Sequence, residues 1–262
     1  MKMPVFFIGH GSPTNALEDN AFTRSLQGMR KLCPEDPKAV LCISAHWLTE
    51  GSWITHMKTP KTIHDFYGFP QPLFEVQYPA MGSPELADLI VDKISDPHIH
   101  PDDDLWGLDH GTWSVLRHIY PDAEIPVLQL SIDLTQPAQY HYDLGVKLRK
   151  LRDRGVLIVG SGNVVHNLRK IRWSKEAEPY DWAIECDEWV KTALLSRNDK
   201  TLIEDFAATE ARRLSVPTTD HYYPLLYSLG AAEPDEVPQF TFEDIQLGSI
   251  SMLTMAFGAN FI

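Results

Sequence analysis

Residues 5–13 read VFFIGHGSP, so four apolar, β-prone residues stand directly before a turn built from Gly and Pro. A run of this length and composition predicts a buried strand whose carboxyl end carries His10. Two later segments, AVLCISAH at 39–46 and VLIVGSG at 156–162, repeat the pattern. Strands that are apolar throughout are typical of parallel sheets covered by helices on both faces.

Helical segments separate these strands. The stretch 83–94 opens with Ser and Pro, which favour a helix start, and the stretches 142–152 and 182–195 repeat apolar residues every three or four positions. A further inner strand is predicted over 125–132. The alternation predicts an α/β fold in which residues 1–262 form a single layered domain, with a central, largely parallel or mixed sheet flanked by helices. In such sheets the ligand site lies beyond the carboxyl ends of the strands.

The composition limits the partners. A formal charge of -13 disfavours nucleic acid, because binding of nucleic acid needs a basic surface. The apolar run near the start is too short for a signal peptide, and no segment approaches the roughly 20 apolar residues of a membrane span. We therefore expect a cytoplasmic protein, a monomer or small homo-oligomer, with no nucleic-acid or membrane partner. Cys33, Cys42 and Cys186 form no CxxC pair and are predicted to be buried thiols.

Three histidines, His10, His46 and His166, follow the predicted strands. Imidazole is a common ligand of Zn and Fe, and side chains from separate strand ends converge at one edge of a rigid sheet. A single histidine is more often structural. Three histidines in equivalent positions indicate a metal or catalytic site.

Two further histidines have an acidic neighbour that competes for the same role. His221 follows Asp220 in PTTDHYYPLL, where the carboxylate would complete a two-His-one-carboxylate site for Fe(II) or would cap the next helix. His110 follows Asp109 in LDHGTW, and this aspartate is likewise a candidate helix cap. Sequence alone leaves both choices open.

The segments GHGSP, SAHW, LDHGTW, GSGNVVHNL and PTTDHYYPLL, in this order over most of the chain, resemble the DOPA 4,5-dioxygenase branch of the class III extradiol ring-cleavage dioxygenases. That family is related to the β subunits of protocatechuate 4,5-dioxygenase. The resemblance implies that His10 and His46 are metal ligands, that His166 is the catalytic acid/base and that His110 lines the substrate side. The third ligand, a glutamate in the founding pattern, matches His221 here.

The resemblance implies a reaction in which O2 opens the ring of a small aromatic diol such as DOPA, by 4,5-cleavage. Fe(II) is expected for activity, and Zn(II) would suit the same imidazoles, with His166 as a fourth ligand. We also expect His110, Tyr222 and the aromatic loop 66–69 to contact the substrate. Two alternatives stay open, namely a zinc hydrolase that uses metal-bound water and a non-catalytic metal-binding protein similar to the Memo-type relatives of this fold.

The remaining histidines have no strand-end setting, and we expect them to be structural: His56, His98, His100, His118 and His141. His64 lies in the aromatic loop that is expected to cover the pocket. The segment Gly160-Ser161-Gly162 matches neither GxGxxG nor GxxxxGK[ST], so we expect no nucleotide site.

Overall fold

The computed structural model describes residues 1–174 and 176–259. Within these ranges the strands are β1 (Val5–Gly9), β2 (Ala39–Thr49), β3 (Ser52–Thr55), β4 (Ile99–Asp102), β5 (Val127–Asp133), β6 (Val156–Gly162), β7 (Gln239–Phe242), β8 (Ile245–Gln246), β9 (Ile250–Ser251) and β10 (Thr254–Phe257). The helices are α1 (Ala21–Met29), α2 (Gln71–Phe74), α3 (Pro84–Lys93), α4 (His110–Ile119), α5 (Ala138–Leu148), α6 (Asp181–Leu195), α7 (Asp199–Glu204), α8 (Glu210–Ser215) and α9 (Tyr223–Ala231). Short 3-10 helices cover Pro13–Ala16, Arg30–Leu32, Arg149–Arg154 and Leu168–Lys170.

Eight strands form one mixed sheet in the order β4-β3-β5-β2-β6-β1-β10-β7. The four central strands β5, β2, β6 and β1 are parallel. The outer strands include antiparallel pairs, since β10 pairs with β1, β7 pairs with β10, and β3 runs against β5, whereas the edge strand β4 pairs in parallel with β3. The predicted α/β fold with a mixed sheet is confirmed. That one catalytic domain spans 1–262 stays a prediction, and residues 175 and 260–262 of it lie outside the described residues.

The parallel centre is apolar throughout because helices cover both of its faces. Side chains alternate along β1, so that Phe7 packs into one core while Phe6 and Ile8 pack into the other. Helices α3, α5, α6, α7 and α9 contribute to the first core, and α1, α2 and α4 contribute to the second. None of the helices in the described ranges is long and apolar enough to cross a membrane.

Some helices and strands are longer in the structure than the sequence predicted. The helix predicted at 83–94 is α3, and the Ser83 side chain caps it by accepting from the Leu86 N–H. The helix predicted at 142–152 begins earlier, at Ala138, and its last part winds as a 3-10 helix. Strand β2 runs to Thr49, so its histidine lies within the strand rather than after it. Cys42 and Cys186 are buried free thiols as predicted, whereas Cys33 is partly exposed.

The glycines of the GSG segment allow α9 to lie directly on β6. A Cβ atom at Gly162 would lie 2.2 Å from the carbonyl oxygen of His221, and one at Gly160 would lie 2.4 Å from that of Pro224. Real Cβ atoms do not come this close to backbone. The segment therefore serves close packing of the chain that carries His221, and this explains the motif without a phosphate ligand.

Gly162→Ala is expected to lower the free energy of unfolding by about 1–3 kcal/mol, because the added methyl meets backbone that cannot rotate away. Gly28→Ala is the matched control. Gly28 lies in α1, and a Cβ atom added there would have no other atom within 4 Å, so alanine should stabilise the protein by up to about 1 kcal/mol. Urea unfolding measures both changes. Equal stability of the two variants would contradict the close approach of α9 to β6.

His141 lies in α5 and is fully buried. Its Nδ1 lies 3.0 Å from the Tyr227 hydroxyl, and its ring packs on Tyr223 with centroids 4.1 Å apart. Burial lowers the pKa of His141 to about 4, and a hydrogen bond to Gln136 opposes the shift only in part. The folded protein therefore holds this imidazole neutral.

A depressed histidine pKa has a defined consequence for stability. The unfolded chain binds a proton at His141 near pH 6.5 and the folded chain binds it near pH 4, so this contribution is full above the first value and is lost as the pH falls toward the second. Between about pH 7.5 and pH 5 the loss should reach about 2 kcal/mol. We expect His141→Gln to remove this part of the pH dependence, measured by urea unfolding. An unchanged pH slope would contradict the burial of a neutral ring.

Candidate metal centre and active site

Five histidines meet at the carboxyl edge of the central strands. His10 directly follows β1, His46 lies near the end of β2 and His166 follows β6. His110 is the first residue of α4, and His221 lies two residues before α9. Since β1, β2 and β6 are parallel neighbours, their carboxyl ends share one edge. The histidine cluster therefore lies at the carboxyl edge of the sheet, where the sequence predicted it.

An irregularity in β2 directs His46 into this cluster. The pairing of β2 with β5 shifts register between Ile43 and Leu48, and His46 lies inside this interval. Such irregularities re-aim side chains at the rims of sheets. The Nε2 atoms of His46 and His10 lie 3.2 Å apart.

The structure brings His10, His46 and His221 into one group whose ligand nitrogens all lie within 4.8 Å of one another. The ring centroid of His221 lies 5.3 Å from that of His10 and 5.0 Å from that of His46. These are the three histidines that the resemblance implies as metal ligands. The three rings are tilted or edge-on to one another rather than stacked.

The hydrogen bonds of Ser161 define the protonation of His10. The hydroxyl of Ser161 donates its one proton to the Gly111 carbonyl at 2.6 Å. Its contact with His10 Nδ1, at 3.0 Å, therefore requires Nδ1–H of His10 to be the donor. The other nitrogen, Nε2, then carries a lone pair that faces the group.

A carboxylate orients His221 in the same way. Nδ1 of His221 donates to the Asp220 side chain, so Nε2 is the nitrogen available to a metal. Burial opposes ionisation of Asp220, but the hydrogen bond and charge of His221 prevail and hold the Asp220 pKa well below its usual range. Asp220 lies outside the group of three, behind His221. The geometry thus favours the histidine over its acidic neighbour as ligand.

The donor set fits a divalent transition metal. Three imidazoles that each offer one nitrogen to the same space suit Zn or Fe(II). Two carboxylates lie directly behind the ligands, because Asp220 bonds to His221 and Asp65 Oδ2 lies 3.5 Å from His46 Nδ1. Their charges offset a dication that the three ligands by themselves leave uncompensated.

Burial keeps the imidazoles neutral. It is the main cause that lowers the pKa values of His10, His46 and His166 well below their usual range, and the neighbouring histidines lower them further. Neutral rings are the form that binds metal or accepts a proton.

His166 lies beside the group of three. Its ring stacks on that of His221, with centroids 3.5 Å apart and planes 7° apart. With Asp220 and His221 it forms a second group whose ring nitrogens and carboxylate oxygen lie within 4.8 Å of one another. His166 therefore borders the group of His10, His46 and His221 without belonging to it.

His110 is held by Asp65, a residue that the sequence did not single out. The Asp65 carboxylate accepts from the backbone N–H and from Nδ1 of His110, each at 2.9 Å. Burial of Asp65 opposes ionisation, but the hydrogen bonds from His110 lower its pKa below the usual value. Asp65 and His110 are 45 residues apart, so no sequence motif contains both. The local sequence offered just one sign of Asp65, an acidic residue within the aromatic segment HDFYGF.

Asp109 is a helix cap. Its carboxylate accepts from the Thr112 N–H and from the side chains of Ser44 and Gln129. Burial raises its pKa, and the negative charge of Asp65 adds to the shift. Of the two alternatives at LDHGTW, Asp109 therefore has the structural role and His110 faces the cluster.

The structure corrects the expectation that Tyr222 contacts substrate. Tyr222 is fully buried, its hydroxyl donates to the Leu202 carbonyl at 2.9 Å, and its ring stacks on Phe206. The side chain points into the core because its neighbour His221 takes the site-facing direction at the start of α9. Phe66 does reach the cluster, where it meets the His110 ring edge-on at 5.5 Å.

The histidines outside the cluster have structural contacts. His64 bonds to the Val76 carbonyl, His118 bonds to the Asn15 carbonyl, and His56 pairs with Asp88 and Asp103. The loop of His64 thus packs on the domain while Phe66 lines the site.

The chain matches the family described as the catalytic LigB subunit of aromatic ring-opening dioxygenase over residues 4–257. It is 47% identical to the 4,5-DOPA dioxygenase extradiol of Escherichia coli (strain K12), over 98% of this chain and 95% of the relative. It is 38% identical to the protein of the same name from Beta vulgaris, over 87% and 86% of the two chains. An uncharacterized protein of Escherichia coli K12 has a similar crystal structure, with a TM-score of 0.86, 43% identity and coverage of 98% and 100%.

The chain therefore belongs to the family of catalytic LigB subunits of aromatic ring-opening dioxygenases. It is an enzyme of the ring-cleaving dioxygenase class, as the sequence resemblance predicted. This finding favours ring opening over the zinc hydrolase and over the non-catalytic metal-binding protein.

Proposed function

We propose that this protein is an extradiol dioxygenase that opens a small single-ring catechol, such as DOPA, between carbons 4 and 5. The observation that carries the proposal is the convergence of three imidazoles with available Nε2 atoms in a chain of the ring-opening family. Relatives named 4,5-DOPA dioxygenase extradiol support DOPA as the model substrate. A cytoplasmic location and a monomeric or small homo-oligomeric state stay predictions.

His10, His46 and His221 would hold one divalent metal through Nε2, with Fe(II) in the active enzyme and Zn(II) compatible with the same donors. When bound, the metal would supply a Lewis acid and an electron path between the catechol and O2. Ser161 and Asp220 support the proposal, because each fixes the tautomer of one ligand.

His166 is the proposed acid/base. Because burial lowers its pKa, the ring is neutral near pH 7 and is able to accept a proton when a catechol hydroxyl ionises. The charge of Asp220 acts in the opposite direction and stabilises the imidazolium that results. His166 then returns the proton to an oxygen atom as the ring opens. The buried setting of His166 thus favours the neutral base.

His110 and Phe66 are proposed to face the aromatic ring of the substrate, with His110 as the polar contact and Phe66 as part of the apolar wall. The charges that act on the buried imidazoles come from one another and from Asp220. Within the described residues, none of the contacts of the five cluster histidines is with a lysine or arginine that could bind the carboxylate of DOPA. We therefore expect turnover of several small catechols rather than of DOPA alone.

The test is anaerobic loading with Fe(II), followed by addition of O2 with DOPA, caffeate or protocatechuate. We expect one O2 consumed per catechol and a yellow product with a carboxylate at the former hydroxyl carbon and an aldehyde at its neighbour. The Zn(II)-loaded protein is the control and should not consume O2. If the Fe(II) protein leaves all three catechols intact, the proposal is overturned. Hydrolysis of an ester would then indicate a hydrolase, and stoichiometric metal without any turnover would indicate a binding protein.

A further inference from the structure

Asp65 lies in the loop between β3 and α2, and this loop is fastened to the chain just before α4. The Ile63 N–H donates to the Leu108 carbonyl at 2.7 Å, and the indole N–H of Trp113 donates to the Ile63 carbonyl at 2.8 Å. These bonds lie two residues before Asp65 and on both sides of His110. The carboxylate therefore has a set position beside the histidine.

The two hydrogen bonds between Asp65 and His110 determine which ring nitrogen carries the proton. An ionised carboxylate only accepts hydrogen bonds, so Nδ1 of His110, 2.9 Å from Oδ2, is protonated. In a neutral ring the second nitrogen, Nε2, then carries a lone pair. The His110 ring packs on His46 with centroids 3.8 Å apart and on His10 at 5.8 Å. Its Nε2 is the atom left for a molecule bound among them.

We propose that Asp65 is a positioning residue that holds His110 in the tautomer with an unprotonated Nε2, and so makes His110 an acceptor for a substrate hydroxyl. The inference deepens the proposed function and rests on it for the identity of the substrate. At this position the site selects a group that donates a hydrogen bond, as a catechol hydroxyl does. A carboxylate or ether oxygen, which only accepts, is disfavoured there because two lone pairs would face each other.

Asp65→Asn is expected to reverse this polarity without changing the shape of the side chain. The backbone N–H of His110 is a fixed donor, so the asparagine must turn its carbonyl oxygen toward it. Its NH2 group then faces Nδ1 of His110, and two donors cannot face each other. The ring responds by moving its proton to Nε2, which becomes a donor toward the substrate. His110 keeps its place and loses its function as an acceptor.

The direct test is side-chain ¹⁵N NMR of the histidines in the full-length protein, with and without Zn(II). His110 is assigned by comparison with His110→Gln. We expect a protonated Nδ1 in the wild type and a protonated Nε2 in Asp65→Asn. Asp103→Asn is the matched control, because Asp103 bonds to Nδ1 of His56 on the surface at 2.6 Å. It should leave the His110 signals unchanged. A wild-type His110 protonated on Nε2, or an Asp65→Asn variant with the wild-type tautomer, overturns the proposal.

A second readout is catechol binding to the Zn(II)-loaded protein without O2. We expect Asp65→Asn to weaken binding by about 10- to 100-fold, Asp65→Glu to recover part of it, and Asp103→Asn to match the wild type. Unaltered binding in Asp65→Asn contradicts the proposal. If Asp65→Asn fails to fold, the tautomer of His110 in the wild-type protein still tests the proposal. Neither readout needs turnover, so a tautomer switch in a protein that opens no catechol refutes the proposed function alone.

Discussion

His221→Ala is expected to leave the purified protein with almost no bound metal. The variant loses one of three imidazoles whose ligand nitrogens lie within 4.8 Å of one another. Two remaining ligands cannot close a stable site, so we expect the affinity for Zn(II) or Fe(II) to fall on the order of a thousandfold, more than the 10–100-fold effect of an outer partner. Metal content after dialysis, together with chelator competition, measures the loss.

Two variants sharpen this experiment. Asp220→Asn keeps His221 but weakens its orienting partner, so affinity should fall by about 10- to 100-fold. His118→Gln alters a histidine that bonds to the Asn15 carbonyl outside the cluster, and its metal content should equal that of the wild type. Full metal content in His221→Ala, with loss in Asp220→Asn, would show that the carboxylate is the ligand.

His166→Gln is expected to retain metal and lose turnover. Its ring stacks on His221 but does not belong to the group of three, so the ligands stay in place when it is replaced. General acid/base catalysis contributes about 10²–10⁴-fold, and we expect kcat to fall by about that factor. Steady-state O2 uptake with DOPA, at matched Fe(II) content, measures the change.

The comparison with metal content separates the two roles considered for His166. Loss of metal from His166→Gln would identify a fourth ligand instead. Unchanged kcat with unchanged metal would remove His166 from both roles. His166 stacks on His221 and lies outside the group that contains His10 and His46. We therefore expect normal metal content with low turnover.

The acidic partners of the cluster would offset the charge of a metal held by His10, His46 and His221. A histidine at the third position leaves a dication among neutral groups, whereas a glutamate would supply a negative charge directly. Here Asp220 touches His221 and Asp65 lies close to His46, so negative charge is present directly behind the ligands. Outer partners of this kind also raise the basicity of the imidazole.

Part of the site could be predicted from sequence because the positions of its histidines follow from local sequence patterns. An apolar run followed by glycine ends a buried strand, and parallel strands deliver their carboxyl ends to one edge. This is why His10, His46 and His166 were predicted to meet. The antiparallel edge strands were not predicted, since β7 and β10 are four residues each and only pairing within the sheet stabilises them as strands.

By itself, the sequence determined the α/β class, the carboxyl edge of the sheet as the place of the site, and the histidines that occur there. Only the tertiary structure decided the direction of each side chain and the partner behind it. Tyr222 turns into the core while the adjacent His221 turns to the site, because a chain that packs on β6 presents neighbouring residues to opposite surroundings. Asp65 reaches His110 across 45 residues through a loop with no periodic pattern. Such contacts arise from packing between distant segments, and the hydrogen bonds made there orient the site histidines.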